Sequence, residues 1–175
     1  MQNVPSISEL FVELGTEDYE AAQKAENALI QLGGFAVPGL VEASQSPDPQ
    51  VRWQAVWALG KIRDKRGLTA VIRATDDSDG RVAYDALMVL GRWNTPEALA
   101  ILLRHVQQKT TDDSLPSAAA SGLVQLGRAA LPALHRAVLT APPHAQELLA
   151  QVITHIHENE GRKQAAHRVR RKRRM

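Results

Sequence analysis

The chain has 175 residues and a formal net charge of +2, with 44% hydrophobic but only 4% aromatic residues and no cysteine. A disulfide framework and cysteine-based zinc or nucleophile chemistry are thereby excluded, and an apolar complement made mostly of Ala, Leu and Val suits close-packed helices better than a β-sandwich. No stretch approaches the ~18 consecutive apolar residues of a membrane span, and "MQNVPSISELFVELG" lacks the basic start and apolar run of a secretory signal; the expected compartment is the cytoplasm.

The charge is unevenly distributed. The first 48 residues hold eight acids against Lys24 alone, whereas residues 162–175 hold eight Lys or Arg and no acid. An acidic-to-neutral body followed by a basic tail at 161–175 is expected.

Taken in chain order, residues 5–14 read as an N-terminal capping helix. Four Leu-Gly pairs then follow, Leu32-Gly33, Leu59-Gly60, Leu90-Gly91 and Leu126-Gly127, spaced by 27, 31 and 36 residues. Five residues before each Gly stands a small residue (Ala28, Ala55, Ala86, Gly122), and four before stands Leu29, Val56, Leu87 or Leu123. Six before stand the polar residues Asn27, Gln54, Asp85 and Ser121. On a helix these offsets set an apolar face opposite a polar one. The small residue lets a neighbouring helix approach, and the Gly is placed to end its helix in the left-handed region. Asp48, followed by Pro49, and Asp79 mark helix starts. Pro38, Pro96 and Pro132, each five residues after a Gly, open second helices, in which Leu68, Val71 and Ile72, then Leu99, Leu102 and Leu103, then Leu134 and Val138 recur at helical spacing.

Each unit is thus a helical hairpin of about 30 residues that cannot bury its apolar face alone and must stack on its neighbours. The predicted fold is all-α: a right-handed α-solenoid domain over 1–160, with hairpins near 17–45, 48–76, 79–108 and 112–140 and a C-terminal capping helix over 142–158. The segment "DPQVRWQAVWALGKIRDKRGLTAVI" resembles a HEAT repeat, most of all the short bacterial kind found in phycobilin lyase subunits, through Asp48, Val51, Arg52, Ala55, Leu59 and Gly60. The third hairpin departs from that pattern with "GRV", and the fourth lacks both the Asp and the Arg. The resemblance implies a solenoid and, for function, scaffolds, adaptors or lyase subunits alike.

Three groups of residues are candidate binding elements. Trp53 and Trp57, i and i+4 on one first helix, share their register with Tyr84 and Met88 of the next hairpin. They read either as an exposed ridge of the kind that anchors protein interfaces or as packing between repeats. Arg73 and Arg104 both fall thirteen residues after a Gly, late in a second helix, with Arg136 near; they read as a basic groove or as cations placed at helix C-termini. The tail residues Arg162, Lys163, Arg168, Arg170, Arg171, Lys172, Arg173 and Arg174 read as a polyanion contact made through phosphates rather than bases, or as a solvated end. The six histidines match no metal-ligand spacing, "THIHE" putting His155 and His157 on different faces. No catalytic constellation, metal site or cofactor site is predicted. The expectation is a non-enzymatic protein-binding scaffold, with a nucleic-acid or ribonucleoprotein binder and a bilin-lyase or chromophore-chaperone subunit as alternatives.

Overall fold

The computed structural model describes residues 6–109 and 113–172, and side chains as far as residue 166. Every regular element among the described residues is helical. The chain divides into two compact units, Met1–Trp93 and Asn94–Met175, which are described in turn.

The first unit holds α1 (Ile7–Leu14), α2 (Tyr19–Leu32), α3 (Val37–Ala43), α4 (Pro49–Ile62), α5 (Leu68–Ala74) and α6 (Gly80–Leu90). Helix α1 starts in a capping box, the Ser6 hydroxyl accepting from the Glu9 amide while the Glu9 carboxylate accepts from that of Ser6. Asp18, Asp48 and Asp79 cap α2, α4 and α6, each carboxylate accepting from amides of the first turn. The first helices form a row in which α2 packs on α4 and α4 on α6. The second helices α3 and α5 each pack on the first helix that follows, and α1 covers α2. Leu14, Leu29, Leu40, Leu59, Leu87 and Leu90 are fully buried between these elements, each worth roughly 1.5–3 kcal/mol of transfer free energy. Ala55 and Ala86 are also fully buried, in keeping with close helix approach.

Two details differ from the sequence reading. Gly33 ends α2 at φ +58°, as expected, but Gly60 does not end α4, which runs on to Ile62 and stops at Arg63 in the left-handed conformation. Gly60 serves the contact instead: a Cβ there would come within 2.5 Å of Val89 Cβ. Gly91 likewise keeps a right-handed φ of −60°. The second difference is Gln54, expected on the polar face but only 2% exposed. Helix α4 is flanked by α2 on one side and α6 on the other, so its polar stripe is narrower than that of a helix with one neighbour, and Gln54 Oε1 is buried without a hydrogen-bond partner.

The second unit holds α7 (Pro96–Gln107), α8 (Ser114–Leu126), α9 (Leu131–Thr140) and α10 (Pro143–Lys172). Thr95 caps α7 through the Ala98 amide, and Pro96 sits in its first turn. Gly127 ends α8 at φ +63°, and a short 3-10 turn, Gly127–Ala130, leads into α9. Helix α10 packs on α7, α8 and α9 through Ala145, Leu149, Val152 and Ile156, all buried at i, i+4, i+7 and i+11. The helix expected over 142–158 continues to Lys172, although residues 161–166 are all exposed. Its continuation is a matter of composition: after Gly161 the run "RKQAAHRVRRK" is rich in good helix formers and has no Pro.

Candidate functional site

The row of first helices in the first unit assembles a surface that no single helix carries. Trp53 and Trp57 lie one turn apart on α4 and are both half-buried. On α6, Arg81, Asp85 and Met88, with Arg92 just beyond the helix end, recur at i, i+4, i+7 and i+11 and so form one stripe. The two stripes interlock. Trp53 Nε1 donates to Asp85 Oδ2, while the Arg81 guanidinium lies 5.0 Å from the Trp53 ring centre. Lys61 Nζ lies 4.7 Å from the Trp57 ring centre. The Arg92 guanidinium lies 5.1 Å from the same ring and donates to the Gly60 carbonyl at 3.5 Å. Tyr84, 39% exposed, and half-buried Met88 complete the surface. Each cation over an indole face is worth about 0.5–1 kcal/mol at exposed sites.

Glu26 of α2 stands at the edge of this surface and is only 4% exposed. Burial pushes its carboxyl above the ordinary range, against the opposing pull of Lys61 and a hydrogen bond from Gln23. Trp53 reaches the next repeat through Asp85 and Arg81 and Trp57 through Arg92, and both indoles are half-buried. Arg81, Asp85, Arg92 and Lys61 were not singled out from the sequence. The spacings 57/61, 81/85 and 88/92 were visible, but which helix faces which was not.

Elsewhere in the first unit, two arginines tie loops together. Arg52 donates from Nε and Nη2 to both carboxylate oxygens of Asp77, at 2.8 and 2.7 Å, and from Nη1 to the carbonyls of Ser46 and Pro47. The Arg52 guanidinium in turn holds the Asp77 carboxyl below its usual range. Arg66 grips Asp64 at 2.6 Å and donates to the Gly34 carbonyl at 2.8 Å, and the hydrogen bonds from Arg66 bring the Asp64 carboxyl to about 2.

The remaining predicted residues are distributed over both units. Arg73 is exposed in the last turn of α5, in the first unit. Arg104 is exposed in the last turn of α7, its Nη2 3.0 Å from His105 Nε2, and Arg136 is exposed on α9, both in the second unit. On α10, Arg162 pairs with Glu158 at 3.8 Å and Lys163 with Glu160 at 3.0 Å. The first two cations of the basic run are thus met by acids one turn upstream, although none lies within the run. Arg168, Arg170, Arg171 and Lys172 belong to α10 by backbone, with side chains outside the described set; Arg173 and Arg174 lie outside the described residues. Among the described residues no three His, Asp or Glu gather to hold a metal ion, and no helix is long and apolar enough to cross a membrane.

An all-α chain of successive helical hairpins, with aspartate-capped first helices stacked in a row, is a helical-repeat protein. A HEAT-repeat family model matches residues 7–83, from α1 into α6. Its structure is similar to one in the complex of CpcE and CpcF of phycocyanin lyase from Nostoc sp. PCC7120, with 25% identity, 83% of this chain and 96% of that one covered, and a TM-score of 0.65. That likeness is consistent with repeats of the phycobilin-lyase type. Two engineered proteins share the fold at 18% and 16% identity, with TM-scores of 0.55 and 0.53; they cover 87% of this chain in each case and 80% and 81% of their own lengths. No curated protein matches the chain at a significant level.

Proposed function

We propose that this protein is a non-enzymatic protein-binding scaffold that engages its partner through the Trp53, Trp57, Tyr84 and Met88 surface, in the cytoplasm. The observation that carries this reading is the interlocked ridge on α4 and α6, where aromatic, thioether and cationic groups share one surface and are held in place by Trp53–Asp85 and by cations on both indoles. Aromatic and arginine side chains held rigidly lose little entropy on binding, which is why they dominate interface energetics. The basic run of α10 adds electrostatic attraction to an acidic partner.

Two further readings each have an observation behind them. The likeness to the structure in the phycocyanin lyase complex favours a subunit that handles a bilin or a bilin-bearing protein. The eight cations of residues 162–175, with Arg73, Arg104 and Arg136, favour a nucleic-acid binder that reads phosphates. Purification of the full chain followed by affinity capture separates the three. A scaffold retains a defined protein partner through a salt wash. A nucleic-acid binder carries 260 nm absorbance that salt removes, and a bilin handler carries absorbance in the visible range. Stoichiometric nucleic acid or pigment with no protein partner overturns the scaffold reading.

A further inference from the structure

We infer that the α4–α6 ridge is built to take an acidic helical segment of its protein partner, whose carboxylates are received by Arg81 and Arg92 at the two ends of α6 with Tyr84 and Met88 between them. This rests on the scaffold reading and specifies its partner.

A guanidinium held over an indole keeps its charge, and its free N–H groups can grip a carboxylate through two parallel hydrogen bonds. Arg81 lies over Trp53 and Arg92 over Trp57, and Lys61 shares the second ring. None of the three forms an ion pair within 4 Å among the described residues, whereas Arg52 and Arg66 are each committed to an aspartate. The ridge therefore holds cations set over aromatic rings and outside any ion pair among the described residues, with Arg92 giving one N–H to the Gly60 carbonyl. Lys61 is near enough to Glu26 to favour its ionised carboxylate, against its burial, and Asp85 is engaged by Trp53.

Spacing defines the partner further. Arg81 opens α6 and Arg92 follows its end, so the two are separated by about the length of the helix, ~16 Å. Three turns of a partner helix span that distance, and side chains at its intervening positions meet Tyr84 and Met88. A helix laid along the row of first helices extends the helix-on-helix packing already present between α4 and α6. A nucleic-acid strand suits the surface less well, because Tyr84 and Met88 between the two arginines offer apolar contact rather than a further cation for its regularly spaced phosphates.

The test uses the full chain and two alanine-based helical peptides. One carries two Glu residues three turns apart with Leu residues between them; its twin carries Gln in place of Glu. Tryptophan fluorescence and anisotropy follow binding at low and moderate salt. The expected result is that the Glu peptide binds about tenfold or more tightly than its twin, that salt narrows the gap, and that the double variant Arg81→Gln/Arg92→Gln abolishes the preference while it still melts cooperatively, within about 8 °C of the parent. Because an unfolded double variant would also lose binding, Arg73→Gln and Arg136→Gln serve as charge-matched controls and are expected to retain the preference. Equal binding of the two peptides overturns the acidic specificity while leaving the ridge as a binding surface. No binding of either peptide, or tighter binding of a poly-uridine RNA at the same residues, overturns the inference. The scaffold reading itself fails separately, if the chain captures no protein partner.

Discussion

Gly60→Ala is the substitution for which local propensity and tertiary packing give opposite answers. Gly60 lies within α4 at an ordinary helical φ, so propensity alone favours Ala by about 0.5–1 kcal/mol. The packing contradicts this. The added Cβ would lie 2.5 Å from Val89 Cβ and 2.9 Å from each of its methyls. Val89 is fully buried and β-branched, so it has no free rotamer into which to retreat. Overpacking of this kind costs roughly 1–3 kcal/mol, which set against the propensity gain leaves a net loss centred on about 1 kcal/mol and no larger than about 2.5 kcal/mol. For a chain of this size a loss of about 1 kcal/mol lowers the melting temperature by about 2–4 °C. Gly80→Ala is the internal control. It lies in the first turn of α6 with nothing within 4 Å of its added Cβ, and is expected to be neutral or to stabilise by up to about 1 kcal/mol. Circular-dichroism melts and urea titrations of both variants read the contrast. If Gly60→Ala is as stable as Gly80→Ala, the close approach of α4 and α6 described above is wrong.

Three more outcomes follow from the same geometry. Ala55→Leu and Ala86→Leu should each cost about 1–3 kcal/mol by overpacking fully buried positions, read by the same melts. Asp77 is depressed by Arg52 and Asp64 is held at about 2 by Arg66. Their stabilisation is therefore complete above the unfolded carboxyl value of ~4 and fades as pH falls through the folded values. Urea midpoints between about pH 4 and pH 2 should drop less steeply for Asp77→Asn than for the parent. Glu26 has the opposite sign: its folded value is raised by burial, so its contribution is lost as pH rises through that value. Glu26→Gln should accordingly raise the melting temperature at pH 7, with the gain vanishing below about pH 4.

What was legible in the sequence was what is decided within one or two turns. Asp48 and Asp79 cap helices through amides two and three residues away, Pro38, Pro96 and Pro132 mark second helices, and the alternation of Ala, Leu and Leu-Gly sets the buried face. What was illegible depends on residues tens of positions apart. Gly60 owes its role to Val89, Arg52 to Asp77, and the Trp53–Asp85 bond to the fact that α4 and α6 are neighbours. Gln54 became buried because α4 has a helix on either side, which no periodicity within α4 reveals. The pairing of Arg162 and Lys163 with Glu158 and Glu160 was local, yet it lay just upstream of the run chosen for its lack of acids.

The most direct measurement on the central claim is quantitative affinity capture with the double variant Tyr84→Ala/Met88→Ala. It truncates exposed Tyr84 and half-buried Met88 while keeping both indoles and the Arg52–Asp77 tie in the sequence. The account predicts that recovery of the protein partner falls by about tenfold or more while the melting temperature stays within about 2–4 °C of the parent's, the shift expected for a loss of no more than about 1 kcal/mol. Undiminished recovery with the variant would contradict it, and would move the binding surface away from α4 and α6.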